Sequence, residues 1–241
     1  MSDPVAADGL ANIPTALRWL GAIAFVVALP VFLILGNILD VASDRAFYAS
    51  EFEKYRIRDV TRMDDSQLMV VADHFINYLR DPAAKLDIEV TIDGARRPLF
   101  NQKEISHMVD VQHLFQLAKN ARLVAGAILL LVPLLGVGLG GGAFLPRLGA
   151  LLVAGGIATV GILGLAGLLS LVDFTEAWTQ FHHVAFSNDD WMLDPRTDYL
   201  IMLYPEGFWF DAVMKIAMQS ALEAVVLGGI GVGVAYFGVR R

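Results

Sequence analysis

The chain has no cysteine. That excludes disulfides, a thiol nucleophile, a thiolate metal site and a lipid-modified cysteine of its own. It is also poor in charge. Only 18% of its 241 residues are charged, against about 25% in a soluble domain. The cations are the scarcer sign, 18 Lys and Arg against 25 Asp and Glu, for a net charge of -7. Such an acidic chain lacks the electrostatic footprint of a nucleic-acid binder. No Gly-x-Ser-x-Gly elbow is present, and neither Ser106 nor Ser187 has that context, which argues against a serine hydrolase. His-Glu-x-x-His and His-x-His are absent too, so no diagnostic metal spacing exists, although His107, His182, His183 and the carboxylates near them are suitable ligand types.

What the chain does have is apolar length. It is 56% hydrophobic, with mean hydropathy +0.57. Four segments, at about 19–39, 123–144, 148–172 and 208–237, are long enough to cross roughly 30 Å of hydrocarbon as helices. Pro30 and Pro133 fall inside the first two and predict kinks. The third is rich in glycine (Gly149, Gly155, Gly156, Gly161, Gly164 and Gly167), which predicts close helix packing. The tail 1–18 has no basic residue before Arg18, and no small-residue cleavage site follows the first apolar run, which reads as a retained span. Arg18, Arg147 and Arg240-Arg241 place both termini and the link between spans two and three in the cytoplasm. Two segments, 40–122 and 173–207, are then extracytoplasmic, and all five histidines fall in them.

The first outer segment predicts a mainly helical cap. Asp44 to Arg62 and Asp64 to Leu79 read as amphipathic helices, the second with Leu68, Val71, Phe75, Ile76 and Leu79 on one face. Asp64-Asp65-Ser66 offers it an N-cap. The stretch 87–92 alternates as a strand, Asp93-Gly94 is a hairpin turn, and 95–100 is the return strand. Asn101 caps a helix that runs through His107 and His113 into span two, with Ile105, Met108, Val109, Gln112 and Phe115 on its apolar face. The fold class is an all-α polytopic membrane protein, with four transmembrane helices and a mainly helical extracytoplasmic cap containing a small β-hairpin.

The chemistry concentrates in 181–205, which holds two histidines, four aspartates, a Trp and two prolines between two apolar segments. A chain in a bilayer has little physical reason to keep such a cluster unless it acts there. Phe174, Trp178, Phe181 and Phe186 read as an aromatic belt where span three leaves the membrane. His182 and His183 lie on it, and on one helix adjacent imidazoles point about 100° apart, so one alone faces a site. Asp194-Pro195 reads as an N-cap and first turn, with a short helix through Asp198 to Leu203. Glu206 reads as a first-turn dipole partner, while Asn188 and Asp198 have no such structural role. In the first loop Glu104, His107 and Asp110 recur at i, i+3 and i+6, where an acid can orient an imidazole or the three form a solvated polar face. Glu223 lies inside span four and forms a polar seam with Gln219 and Lys215, or marks a function there.

Two runs carry a resemblance. Phe181-His182, Asn188-Asp189, Trp191, Leu193-Asp194-Pro195, Asp198, Leu200-Ile201 and Pro205 resemble the second-loop pattern of the lipoprotein intramolecular transacylase (Lit) family. Phe100-Asn101, Glu104-Ile105-Ser106-His107-Met108 and Asp110-Val111 resemble its first-loop signature. The resemblance implies acyl transfer at the outer face of the bacterial cytoplasmic membrane. One acyl chain moves from the S-diacylglyceryl group of a lipoprotein to the α-amine of the same N-terminal Cys, giving the lyso-form. It implies His107 and His182 as catalytic residues. Glu104, Asp110, His183, Asn188, Asp189, Trp191, Asp194 and Asp198 are the candidates for orienting them or binding substrate. No cofactor and no metal are implied. The expected partners are diacylglyceryl-modified lipoproteins and the bilayer, and the protein is expected to be a monomer that binds no nucleic acid.

The reaction suits the residues. Nucleophile and ester belong to one molecule, so no enzyme nucleophile is needed. An imidazole can deprotonate an amine of pKa near 8, and a second can meet the oxyanion. The rival readings are a membrane metallohydrolase or phospholipid acyltransferase, and a non-enzymatic membrane scaffold or sensor.

Overall fold

The computed structural model describes residues 13–240. Most of the tail expected at 1–18, and Arg241, lie outside the described residues. Helix dominates. In order the chain forms α1 (Thr15–Val41), α2 (Arg45–Lys54), α3 (Ile57–Thr61) and α4 (Asp65–Arg80), then a hairpin of β1 (Glu89–Ile92) and β2 (Ala95–Pro98). There follow α5 (Gln102–Gly140), a 3-10 turn (Gly141–Phe144), α6 (Leu145–Val172), α7 (Phe174–Ala185), α8 (Tyr199–Leu203) and α9 (Glu206–Val239). Three helical stretches are long and apolar enough to cross a membrane: Thr15–Val41, Gln102–Val172 and Glu206–Val239. The middle one contains both α5 and α6, with the 3-10 turn between them.

The described residues divide into two compact units. The first holds 13–37, 120–167 and 216–240. Its buried cluster is Leu29, Leu33 and Ala224, with Phe32, Leu129 and Leu227 packed on it. Glycine lets two helix backbones meet. A Cβ at Gly149 would lie 2.4 Å from the Gly231 carbonyl oxygen, and one at Gly156 would lie 2.9 Å from that of Ala224. Gly155 leaves room for Leu29. The close packing expected of the glycine-rich span is therefore made by half of its glycines, since a Cβ at Gly161, Gly164 or Gly167 would meet nothing within 4 Å. Large apolar side chains such as Leu130, Ile157 and Leu222 face outward at 68%, 69% and 66% exposure, as lipid-facing residues do. Asn37, itself buried, donates to the Leu33 carbonyl, to Ser220 Oγ and to Glu223 Oε2. Glu223 thus pairs with Asn37, and the seam expected with Lys215 is not made, because Lys215 donates to Asp44 at 2.6 Å.

The second unit holds 38–119 and 168–215. Its centre is aromatic. Tyr204 is buried among Tyr48, Phe52, Phe75 and Phe208, the nearest ring 4.7 Å away at Phe75. The apolar face expected of α4 is buried as a set, and Asp64 Oδ1 caps the helix by accepting from the Gln67 N–H. The expected single helix 44–62 is instead α2 and α3. Asp44 caps α2 through the Ala46 and Phe47 N–H groups, and the chain breaks at Arg56, whose φ is 52°. Tyr55, beside the break, donates to Asp211 at 2.6 Å. The hairpin pairs Ile92 with Ala95 across Asp93 and Gly94, both at positive φ as a tight two-residue turn requires.

Candidate active site

The N-terminus of α5 is fixed by a reciprocal cap. Asn101 Oδ1 accepts from the Lys103 and Glu104 N–H groups, and Glu104 Oε2 accepts from the Asn101 N–H at 2.7 Å. The other Glu104 oxygen accepts from the Leu200 N–H at 2.6 Å, and the residue is 1% exposed. Both oxygens are therefore used by backbone, which corrects the expectation that Glu104 orients His107. Asn101 Nδ2 donates to Asp198 Oδ1 at 3.0 Å, and Asp198 Oδ2 accepts from the Asp194 N–H at 2.8 Å. Asp198 thus has a structural role after all, tying the start of α5 to the loop before α8. The short helix begins at Tyr199. Before it, the Asp194 carbonyl closes a turn on Thr197 and Asp198, so Asp194 caps that turn and not a helix.

One helical turn along α5 stands His107, well before Leu123, where the apolar run of that helix begins. The second histidine is carried by a separate element. The chain breaks after Val172, Asp173 caps α7 through the Glu176 N–H, and α7 carries both His182 and His183. One is buried and the other is exposed, as adjacent positions on a helix must be. His107 and His182 are brought together, ring centroids 6.0 Å apart at 35°. They are 7% and 8% exposed.

The surroundings of the pair are aromatic. Phe186 lies 5.0 Å from His107 and 5.6 Å from His182. Trp178 and Trp191 each lie 4.9 Å from His182. Trp178 in turn stacks on Trp209 at 5.0 Å. What reads in the sequence as a membrane belt therefore includes the wall of this site. His183 packs edge-on to Trp191 from outside, at 5.0 Å.

Two polar details set the chemistry. His182 Nδ1 lies 2.7 Å from the Trp178 carbonyl oxygen. A carbonyl only accepts, so Nδ1 carries the hydrogen and the lone pair of the neutral ring is on Nε2. His107 Nδ1 and Trp191 Nε1 are buried with no hydrogen-bond partner. Burial, first of all, pushes the His107 imidazole down to about 4. The neighbouring His182 lowers it further, and Asp110 and Asp190 act in the opposite sense. His182 is also held below its ordinary value by burial, opposed by the Trp178 carbonyl. Burial thus favours the uncharged form of both rings.

The carboxylates are engaged elsewhere. Asp110 accepts from Asn188 Nδ2 at 2.8 Å. Asp190 accepts from Ser106 Oγ at 2.6 Å. Asp194 is paired with Arg196, whose guanidinium holds its carboxyl down at about 2. Asp189 contributes its carbonyl to a turn with the Met192 N–H. Lys103 Nζ reaches the Met192 carbonyl, and Arg97 of β2 bonds to the Tyr199 hydroxyl and lies over its ring. Together these contacts hold the 187–199 stretch on the first turns of α5. The sequence reading missed Ser106, Asp190, Trp178 and Phe186 at this site. Asp190 was hidden by its neighbour Asp189, which spacing does not distinguish from it. Among the described residues no group of three or more His, Asp or Glu is arranged to hold a metal.

Over residues 23–209 the sequence matches the family described as lipoprotein intramolecular transacylase Lit. The fold is similar to the in meso structure of the membrane-integral lipoprotein intramolecular transacylase Lit from Bacillus cereus. The TM-score is 0.77 at 19% identity, over 95% of this chain and 100% of that one. It is also similar to a histidine-to-alanine variant of that protein, with TM-score 0.73 at 18% identity over 94% and 97% of the two chains. An uncharacterised protein of Aquifex aeolicus is 27% identical over 128 residues, which are 53% of this chain and 54% of that protein. The match thus spans about half the length of that relative.

Proposed function

We propose that this chain, which belongs to the lipoprotein intramolecular transacylase (Lit) family, moves an acyl chain within a bacterial lipoprotein, using His182 as base and His107 beside the oxyanion. The observation that carries the reading is the buried histidine pair in an aromatic setting, with the Nε2 lone pair of His182 left available by the Trp178 carbonyl. The substrate's N-terminal Cys carries a thioether-linked diacylglyceryl group. Its neutral α-amine attacks one ester carbonyl of that group, and an N–C bond forms as the amine proton passes to His182 Nε2. The oxyanion is met by an N–H of the His107 ring, with the unpartnered Trp191 indole N–H as a second donor. Collapse breaks the bond from the carbonyl carbon to the glyceryl oxygen, and the imidazolium returns the proton to that oxygen. The products are an amide and a free glyceryl hydroxyl, so the lipoprotein leaves in its lyso-form with total acyl mass unchanged. Because amine and ester share one molecule, positioning does most of what a covalent enzyme intermediate does elsewhere.

The carboxylates act as positioning residues in this reading. Asp110 with Asn188, Asp190 with Ser106, Glu104 with the Leu200 N–H, and Asp198 with Asn101 fix the loop that carries Trp191. The protein is a multi-pass protein of the bacterial cytoplasmic membrane with four spans, α5 and α6 supplying the second and third. The segments 40–122 and 173–207 are extracytoplasmic, the termini are cytoplasmic, and the protein acts as a monomer.

The test is mass spectrometry of a lipoprotein N-terminal peptide from a host lacking its own N-acylating enzymes. The wild type should yield an N-acylated lyso-form of unchanged total acyl mass. Persistence of the diacylglyceryl form alone, with the protein folded in the membrane, would overturn the proposal.

A further inference from the structure

The first unit carries a cavity of about 810 Å³ where α1 begins and the chain turns from α5 into α6. Its lining is apolar apart from Thr15 and two arginines, Arg18 and Arg147, and contains no carboxylate. Arg18 donates to the neutral Thr15 hydroxyl, and among the described residues neither arginine is in an ion pair. The wall is built and not merely left over. Phe144 folds so closely against α5 that a Cβ on Gly136 would lie 2.3 Å from its ring. A Cβ on Gly21, which also lines the cavity, would meet nothing within 4 Å. Arg240 lies at the same end, since a Cβ on Gly238 would lie 3.0 Å from Leu145 and Pro146. Trp19, 66% exposed, stands beside Arg18 where an interfacial aromatic is expected.

We infer that this cavity binds one anionic phospholipid, with its phosphate on Arg18 and Arg147 and its acyl chain along the apolar wall. Charge complementarity selects this occupant. Arg147 is exposed and Arg18 half-buried, so both present a positive charge at the mouth of an apolar wall that holds no carboxylate, and a guanidinium fork matches phosphate oxygens. Basic pockets between spans on the cytoplasmic side are suited to anionic headgroups. A zwitterionic lipid brings its own cation and satisfies the pair less well. A second copy of this chain offers no acid patch from its first unit, whose described residues include one carboxylate, Glu223, already held by Asn37. The inference rests on the membrane-spanning reading of the first unit and not on the transfer chemistry.

The test is native mass spectrometry of the full chain released from nanodiscs of equal phosphatidylglycerol and phosphatidylcholine. The wild type should retain one phosphatidylglycerol in preference to phosphatidylcholine. Arg18→Gln and Arg147→Gln should each weaken that retention about 5-fold, and Gly21→Leu, which fills the cavity without touching either arginine, should abolish it. His182→Gln should bind lipid as the wild type does, which separates this test from that of the catalytic reading. A thermal melt of each variant in detergent establishes that it is folded. Equal retention of the two lipids, retention unaffected by all three cavity variants, or a second protein copy in place of lipid would overturn the inference.

Discussion

Two polar clusters in the second unit handle charge in opposite ways. Around Glu51, charges are neutralised by partners. Lys54 and Tyr55 both bond to Asp211, and Lys215 bonds to Asp44. Glu51 is 6% exposed with Oε2 unpartnered, and burial, with Asp211 nearby, pushes it up to about 7. Around His107 and His182 there is aromatic surface, no carboxylate hydrogen-bonded to either ring, and burial that keeps both rings uncharged. The first arrangement holds charge in place. The second leaves an imidazole lone pair free, because a ring protonated beside an acid would have none to offer. The carboxylates that the sequence puts beside the histidines bond instead to Asn188, Ser106, Arg196 and backbone N–H groups.

That contrast can be broken at several points. His182→Gln removes the base while keeping a polar side chain, and transfer should fall about 10²- to 10⁴-fold. His107→Ala should lower it about 10²- to 10³-fold, the range for loss of one oxyanion donor. Both are read from the lyso-form yield at matched protein levels. Asp198→Ala leaves Asn101 Nδ2 and the Asp194 N–H without their acceptor, so it should reduce stability by about 1–3 kcal/mol. A thermal melt checks this, and the intact His pair should retain most of the rate in whatever fraction stays folded. Glu51→Gln sharpens the other side. The folded-state pKa of Glu51 is raised, so its stabilising effect is present below about 4.5 and lost as pH rises through about 7. The variant should therefore match the wild type near pH 4 and melt higher at pH 8. A melt series that shows the reverse order would remove the buried neutral carboxyl from the account. A chelator should have the smallest effect, none at all on transfer in washed membranes.

Local signals carried part of the fold into the sequence. Asp64 before an apolar stripe and Asp93-Gly94 between alternating residues act through neighbours within a few positions, and α4 and the hairpin follow from them. The break between α2 and α3 has no glycine or proline to announce it, and at that point Tyr55 bonds to a residue 156 positions away. Glu104 shows the same limit at the site. Its spacing to His107 invites an orienting role, yet Asn101-x-x-Glu104 also fits a reciprocal cap, and the cap is what forms. His107 and His182 were readable as residue types in two loops. Their approach to 6.0 Å was not, because it depends on α5 and α7 meeting across Phe186, which touches both rings.

The most direct measurement is the pH dependence of transfer by the purified protein in nanodiscs, under single-turnover conditions from pH 5 to 9. The rate is expected to rise about tenfold per unit between pH 6.5 and about 8, set by the substrate amine alone, and then to level. His182, held below its ordinary value, should add a second dependence only under pH 6.5. A rate that falls above pH 7 would mean that a charged imidazole is required, and would contradict the neutral pair.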